Sequence, residues 1–187
     1  MSWRKSRVLF RRFFGIPAVL SGALLAAGCF QPLYSESPVS GRPALRDALS
    51  RVDIVPIYAP DASDEGRLAV QIRNDLLFNF TGGGASYSPT HRLQIQIAGA
   101  RSLLTIDKNT VLPTIESYTL TTTYSLTELA TGRVVVTGRA SVPVSYDPSA
   151  QQRFARISAL HDAERRAAKA ISDNIATRLA SYFVAGT

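Results

Sequence analysis

The sequence predicts an α+β fold, a two-layer sandwich in which two helices pack on one face of a four-stranded, mainly antiparallel sheet. Three segments between residues 93 and 144 alternate apolar and polar side chains, which is typical of strands with one covered face. Two further segments, before and after these strands, repeat apolar residues every three or four positions, as amphipathic helices do. With a short β-branched segment at the start, the predicted element order is β-α-β-β-β-α.

The chain starts with features of an exported protein. Five basic residues and no acidic residue precede Cys29, and an apolar run extends from Phe13 to Ala27. A membrane-spanning helix needs about 20 apolar residues, so this shorter run fits a secretory signal peptide better. We therefore assign residues 1–28 to a signal peptide.

Cys29 is the only cysteine of the chain, and it follows small residues. The sequence LAAGC, from Leu25 to Cys29, resembles the lipobox of bacterial lipoproteins. This resemblance implies cleavage after Gly28 and a covalent lipid on Cys29, with a diacylglycerol group on the sulfur and an acyl chain on the new N-terminus. The alternative interpretation is an ordinary exported protein in which Cys29 has no special role. Apart from this lipid we expect no cofactor, and a single cysteine excludes an intramolecular disulfide.

The basic charge of the chain belongs mostly to this leader. The full sequence has 21 basic and 14 acidic residues and a pI near 10, whereas residues 29–187 keep 16 basic residues against the same 14 acidic ones. A nearly neutral chain without a long Lys/Arg run gives no support to a nucleic-acid partner.

Residues 29–50 differ in pattern from residues 51–187, so we expect a lipidated tether followed by a single domain. The tether contains three prolines after Cys29 and little apolar periodicity, apart from a short helical turn near residues 43–49. The chain after cleavage is long enough for one domain with its own hydrophobic core.

The elements of the domain follow from local patterns. Segment 52–58 predicts a strand in which Pro56 favours an edge position. Apolar residues every four positions predict a helix over residues 65–80, and the TGGG sequence at 81–84 ends it. The short ELATGRV connection predicts a hairpin between the last two strands. The apolar residues that define the shared strand faces are Leu93, Ile95 and Ile97, then Tyr118, Leu120, Tyr124 and Leu126, then Val134, Val136, Ala140, Val142 and Val144.

A long helix closes the predicted fold. Asp147 and Pro148 predict its N-cap and its first helical position. An apolar stripe at helical spacing then runs from Phe154 to Tyr182. The stripe drifts near residues 160–162, so the sequence leaves open whether the helix is continuous or broken there.

No group of residues in the sequence predicts catalysis or a metal site. His91 and His161 have no partner at metal-ligand spacing, and His161, Asp162 and Glu164 are typical of a solvated helix face. The TGGG sequence lacks the Lys-Ser/Thr of a phosphate-binding loop. We therefore expect a protein that is not an enzyme and that holds no metal ion.

Two segments of the sequence resemble LptE, a family of lipopolysaccharide-assembly lipoproteins, in its alphaproteobacterial form. Residues 29–34, CFQPLY, are similar to the start of the mature family sequence, although the glycine that usually follows the cysteine is missing here. Residues 144–183, which begin with VSYDPSAQQ and end with ATRLASYF, resemble the last strand and the C-terminal helix of the family. The predicted element order agrees with the family as well.

This resemblance implies a location and a function. LptE-like lipoproteins are anchored in the inner leaflet of the outer membrane and plug the β-barrel of their partner, LptD. They help to assemble that barrel and help to pass lipopolysaccharide to the cell surface. The polar strand faces of the present sequence fit a wet barrel interior. These polar residues are Gln94, Gln96, Thr119, Thr121 and Thr123.

Four basic residues near predicted strand ends or loops are candidates for contacts with the phosphates of lipid A: Arg101, Lys108, Arg133 and Arg139. The competing interpretation for each is a solvated surface charge. Two other functions stay open at this point. An auxiliary lipoprotein of a periplasmic phospholipid-transport system would enclose an apolar cavity, and a purely structural envelope lipoprotein would need neither partner.

Overall fold

The structure, a computed structural model, describes residues 45–60, 63–84, 87–106, 113–148 and 153–185. These residues form one sheet with strand order β1-β2-β3-β4, in which β1 is parallel to β2 and the other neighbours are antiparallel. The predicted α+β class and element order are confirmed. The elements are α1 (Leu45–Ser50), β1 (Val52–Ile54), α2 (Asp64–Thr81), β2 (His91–Ile106), β3 (Pro113–Glu128), β4 (Val134–Tyr146) and α3 (Arg153–Ala185).

The two faces of the sheet differ in chemistry because side chains alternate along each strand. On the face that the helices cover, Leu93, Leu120 and Leu126 have no exposed surface. The opposite face, which we call the open face, has no covering layer among the described residues. It consists mainly of hydroxyl and amide side chains: Gln94, Gln96, Thr119, Thr121, Thr123, Thr137 and Ser141.

Two tyrosines on the covered face lie across glycines of the neighbouring strands. A Cβ atom at Gly99 would overlap the ring of Tyr118, and a Cβ atom at Gly138 would overlap the ring of Tyr124. Glycine weakens a strand interior, and here the aromatic side chain restores the packing above it. Burial raises the pKa of both phenols, to about 12 for Tyr118.

The turns that end two elements agree with the sequence. Ser63 caps α2 by accepting a hydrogen bond from the Gly66 N–H at 2.9 Å, and Gly82 ends the helix with a φ of 62°. Gly132, with a φ of 69°, closes the β3–β4 hairpin by donating to the Glu128 carbonyl at 2.9 Å. Positive φ favours glycine at both positions.

The helix α1 belongs to the folded domain, whereas the sequence assigns residues up to 50 to the tether. Leu45 and Leu49 are buried in the core, and α1 contacts both α2 and α3. A third helix therefore joins the two predicted ones on the covered face. The remainder of the predicted tether, together with Cys29 and the signal peptide, lies outside the described residues.

The first strand is shorter than the sequence predicts. β1 ends at Ile54 rather than at residue 58, although the Val55 N–H still donates to the Leu93 carbonyl at 3.1 Å. Pro56 follows, and no backbone hydrogen bond to β2 is seen beyond Val55 in the described chain.

The last helix differs from its prediction at its start. Pro148, the predicted first helical position, is not helical, and the described helix runs from Arg153 after residues that lie outside the described chain. The helix continues to Ala185 without a break near residues 160–162, a point that the sequence left open. The apolar stripe can drift there because the preceding turns of the helix do not pack on the core.

His91, at the start of β2, connects the sheet to the C-terminal end of α3. Its ring meets the ring of Phe183 edge-on with centroids 5.1 Å apart, and its Nδ1 lies 2.9 Å from the Thr90 Oγ1. Burial lowers the pKa of His91 from 6.5, and the charge of Glu128 only partly opposes this effect.

We expect the stability of the domain to fall as the pH drops below about 6.5, because His91 binds a proton less readily in the folded state than in the unfolded state. The contribution of neutral His91 is complete above its unfolded pKa and is lost as the pH falls toward its lower folded pKa. The variant His91→Gln has no titrating ring, so its melting temperature should depend less on pH in this range. Thermal unfolding followed by circular dichroism at several pH values checks this, and equal slopes for both proteins would contradict it.

Candidate functional site

The basic residues that the sequence suggests as lipid contacts do not lie together. Arg101 is exposed near the end of β2, and Arg133 is exposed in the β3–β4 hairpin at the opposite end of the sheet. The register of β2 and β3 puts about ten residues, roughly 33 Å, between these two levels. Arg139 lies on the open face, and Lys108 lies outside the described residues. Arg101, Arg133 and Arg139 therefore do not form one site.

Arg101 lies at the end of the domain where α3 begins. The Arg166 side chain donates to the Ser145 carbonyl at 3.4 Å, so residue 166 of α3 is level with the end of β4. The preceding residues of α3, back to Arg153, extend about 20 Å beyond this level. We call this part of the domain, formed by residues 101–104, 115–116 and 153–161, the distal end.

Five large apolar side chains are exposed at the distal end. They lie on two projections, the joined ends of β2 and β3 and the first turns of α3. The stripe predicted along the last helix thus starts with residues that no other described element covers, since α3 packs on the core only from Ala159 onward. The exposed fractions are 59% for Leu103, 57% for Leu104, 42% for Ile115, 83% for Phe154 and 42% for Ile157.

The charged groups of the distal end are mainly basic. Arg101, Arg153 and Arg156 are exposed there. Glu116 is the acidic residue among them, and its carboxylate accepts a hydrogen bond from the Tyr146 hydroxyl. Burial and this hydrogen bond raise the pKa of Tyr146 to about 12, so the phenol keeps its proton and Glu116 stays engaged.

The exposed arginines and apolar side chains of the distal end together favour one class of ligand. Guanidinium groups bind phosphate through paired hydrogen bonds, and exposed apolar side chains bind acyl chains. Asp162, the first acidic residue along α3, accepts hydrogen bonds from Arg165 at 3.2 Å and from Arg166 at 2.8 Å. The distal end is therefore suited to an anionic amphiphile.

A second cluster of polar side chains lies between α2 and α3. Glu164 is 1% exposed and accepts a hydrogen bond from Arg67, whose guanidinium also lies 3.5 Å from Asp64. The possible ligand atoms of Asp64, His161 and Glu164 lie within 4.8 Å of one another, as in a metal site. Because Arg67 already contacts both carboxylates, this cluster is better explained as an ion-pair connection between the helices.

Little in the sequence indicates this cluster. The prediction that Glu164 lies on a solvated face is wrong, since α2 covers it. The spacing of His161 and Glu164 by three residues was the available signal, because such residues share one helix face. Arg67 lies 97 residues away along the chain, so no local pattern connects it to Glu164.

Charge and burial act together on the groups around Glu164. Burial lowers the pKa of Arg67, but the hydrogen bonds and charges of Glu164 and Asp64 outweigh it and raise the pKa above its ordinary value. Arg67 therefore keeps its charge, and the buried carboxylate of Glu164 keeps its cation.

The domain resembles solved structures of lipoproteins from Gram-negative bacteria. A lipoprotein of Caulobacter crescentus is 22% identical over 76% of this chain and 97% of its own, with a TM-score of 0.56. Lipoprotein B of Nitrosomonas europaea is 11% identical over 80% of this chain and 94% of its own, with a TM-score of 0.54. Rare lipoprotein B of Shewanella oneidensis is 10% identical over 71% and 96%, with a TM-score of 0.53. The chain has the fold of these lipoproteins.

Comparison at the level of sequence adds no relative. No model of a known protein family matches the chain, and no curated protein matches it either. None of the helices in the described part of the chain is both long and apolar enough to cross a membrane.

The Arg67–Glu164 pair allows a direct test of the connection between α2 and α3. Arg67→Met should destabilise the domain by about 1–3 kcal/mol, because it leaves the buried carboxylate of Glu164 without a partner. The double variant Arg67→Met/Glu164→Met should regain much of this loss, since packed apolar side chains often replace a buried ion pair at little cost. Urea unfolding of each variant measures these differences.

Arg165→Met is the matched control, because the Arg165–Asp162 pair is exposed on both sides. Its effect on the free energy of unfolding should stay below about 1 kcal/mol. A loss in Arg67→Met no larger than in this control would contradict the role that we assign to Arg67.

Proposed function

We propose that this chain is an outer-membrane lipoprotein of the LptE type. In this proposal, residues 1–28 are removed on export and Cys29 carries the lipid that holds the protein in the inner leaflet. The domain then partners the LptD β-barrel, helps to assemble it and helps to deliver lipopolysaccharide to the cell surface. Support comes from the LAAGC and CFQPLY sequences and from the likeness in fold to rare lipoprotein B, which is LptE.

The distal end is the observation that carries the lipopolysaccharide part of this proposal. Lipid A is an anionic amphiphile, with phosphate groups beside acyl chains. Three exposed arginines and five exposed apolar side chains at one end of the domain match both parts of such a ligand. Of the residues that the sequence suggested, Arg101 is kept as a contact, whereas Arg133 and Arg139 are replaced by Arg153 and Arg156.

The open face supports the barrel part of the proposal. Its side chains satisfy one another, as in the contact of 3.1 Å between the Thr121 and Ser141 hydroxyls and the ion pair of 3.2 Å between Arg92 and Asp53. A polar and nearly neutral surface of this kind is compatible with the polar interior of a large barrel.

The auxiliary lipoprotein of a phospholipid-transport system receives less support. A carrier of that kind needs an apolar cavity for acyl chains. The space between the sheet and the helices is instead filled by side chains without exposed surface, such as Leu120, Ile171 and Ile175. We keep this function as an outcome of the following test.

Depletion of the protein in its own cell separates these functions. We expect surface lipopolysaccharide and the amount of correctly oxidised, assembled LptD to fall together, and the tagged protein to co-purify with the barrel. Recovery with a phospholipid transporter, while both levels stay normal, would identify the auxiliary lipoprotein instead. Normal levels without either partner would identify a structural envelope lipoprotein.

Charge reversal tests the lipopolysaccharide contact at the distal end. The double variant Arg101→Glu/Arg153→Glu should weaken binding of purified lipopolysaccharide by about tenfold, which corresponds to about 1.4 kcal/mol. The control Arg133→Glu/Arg139→Glu makes the same change of net charge away from the distal end and should have a much smaller effect. Equal losses in the two variants would show that only net charge matters, and would contradict a site at the distal end.

A further inference from the structure

The edge of the sheet at β2 is only partly covered by β1. The parallel pairing joins Val52–Ile54 to residues 91–93, and one further hydrogen bond runs from the Val55 N–H to the Leu93 carbonyl. Beyond Pro56, no strand of the described chain pairs with β2 on this side. A stretch of β2 from Ile95 onward therefore forms an exposed sheet edge.

The direction of the free backbone groups follows from the observed pairing. The Leu93 carbonyl points toward β1, and in an antiparallel ladder the groups that face one neighbour alternate along the strand. The register between β2 and β3 is regular up to residue 103, so the alternation persists. The N–H and C=O groups of Ile95, Ile97, Gly99 and Arg101 therefore point outward along roughly 20 Å of edge.

The β2 edge lacks the features that usually prevent strand addition. Residues 96–100 read QIAGA and contain no charge and no proline, and β2 has no register shift before Leu103. The outer edge of β4, by contrast, carries Arg139 and Pro143 and a register shift near its start. Proteins commonly protect exposed edges with charged residues, prolines and bulges, so β4 is protected and β2 is not.

The surroundings of the β2 edge fit an added strand. Tyr118 lies across Gly99 on the covered face, so the glycine leaves no gap in the packing beside the edge. Next to the edge, a cleft of about 400 Å³ lies between Pro56, Tyr58 and Gln96, and Tyr58 is 92% exposed. This cleft offers room for a side chain of a bound segment.

We propose that the β2 edge, residues 95–101, binds an extended segment of a partner polypeptide, which adds to the sheet as a further strand beyond β1. The main-chain groups of the edge supply the affinity, as in other cases of strand addition. Because Ala98 and Ala100 have small apolar side chains, we expect uncharged residues of the bound segment to lie beside them. Exposed Arg101, at the far end of the edge, favours an acidic residue in the segment that passes it. This inference does not depend on which protein the partner is.

A second copy of this chain fits the edge poorly. Antiparallel pairing of two β2 edges about Gly99 would set Thr105 and Ile106 of one copy opposite Leu93 and Arg92 of the other. β1 already pairs with those residues on the same side. The free edge is therefore long enough for a separate strand but too short for a symmetric pair.

Site-specific photo-crosslinking of the full-length lipoprotein in its own membrane tests the proposal. Benzoylphenylalanine replaces Ala98 or Ala100 at the β2 edge, and Thr137 or Ser141 serves as the control position on β4. We expect Ala98 and Ala100 to crosslink to one segment of one partner, at sites two residues apart, because an added strand keeps the register of β2. The control positions should not crosslink to that segment.

A matched pair of variants tests whether the main chain of the edge is required. Ile97→Pro removes an outward N–H, whereas Ile97→Ala keeps that N–H and removes the same side-chain contacts. Crosslinking from Ala98 should fall about tenfold further in the proline variant than in the alanine variant. If circular dichroism shows that the proline variant does not fold, the proposal is judged on the other measurement alone. That measurement is the two-residue spacing of the crosslinks from positions 98 and 100.

Several results would overturn the proposal. Absence of crosslinks at Ala98 and Ala100 would do so, as would crosslinks to scattered sites of the partner. Crosslinks to a second copy of the chain, or to residues 29–44 of the same chain, would show that another occupant covers the edge. Equal crosslinking in folded Ile97→Pro and Ile97→Ala would show that the outward N–H is not used.

Discussion

The packing of α3 onto α2 and onto one face of the sheet determines which surfaces of this domain stay free. Ala163 and Ala167 have no exposed surface, and their small side chains let the helix lie close to the layer beneath. Ile171 and Leu179 continue the contact toward the C-terminus. Because this packing involves one face of the sheet and begins only near Ala159, it leaves both the open face and the first turns of α3 uncovered. The ion pair between the partly exposed Arg67 and the buried Glu164 lies near the start of this contact and connects α2 to α3 there.

The parts of the fold that depend on local pattern could be predicted from the sequence. The period of two in β2, β3 and β4 fixes which side chains share a face, and the turn glycines Gly82 and Gly132 mark where elements end. Boundaries that depend on tertiary contacts could not be predicted in this way. Leu45 and Leu49 are two apolar residues in a proline-containing segment, and only their contact with α2 and α3 places them in the core. Asp147 and Pro148 have the sequence of a helix start, yet Pro148 is not helical.

The candidate site was less accessible to sequence analysis than the fold. Phe154 and Ile157 have the same helical spacing as the buried residues that follow them, so the pattern does not distinguish a covered stripe from an uncovered one. What distinguishes them is the position of the helix along the sheet, which the contact between Arg166 and Ser145 defines. Arg101 was found from the sequence because it lies near a strand end. The distance between Arg101 and Arg133 could not be predicted, because it depends on the register between β2 and β3.

The short first strand makes the two edges of the sheet different. The pairing of β1 with β2 ends at Val55, so the described sheet narrows from four strands to three at the level of Ile95. From that level onward, the open face and the β2 edge adjoin each other, and both lead to Arg101 at the distal end. On the other side, Pro143 and Arg139 make the β4 edge a poor template for a further strand. The two edges of the sheet therefore differ: beyond Val55 the outer main-chain groups of β2 have no strand partner in the described chain, whereas β4 presents a protected edge. This difference follows from the length of β1, which at three residues is the shortest of the described elements.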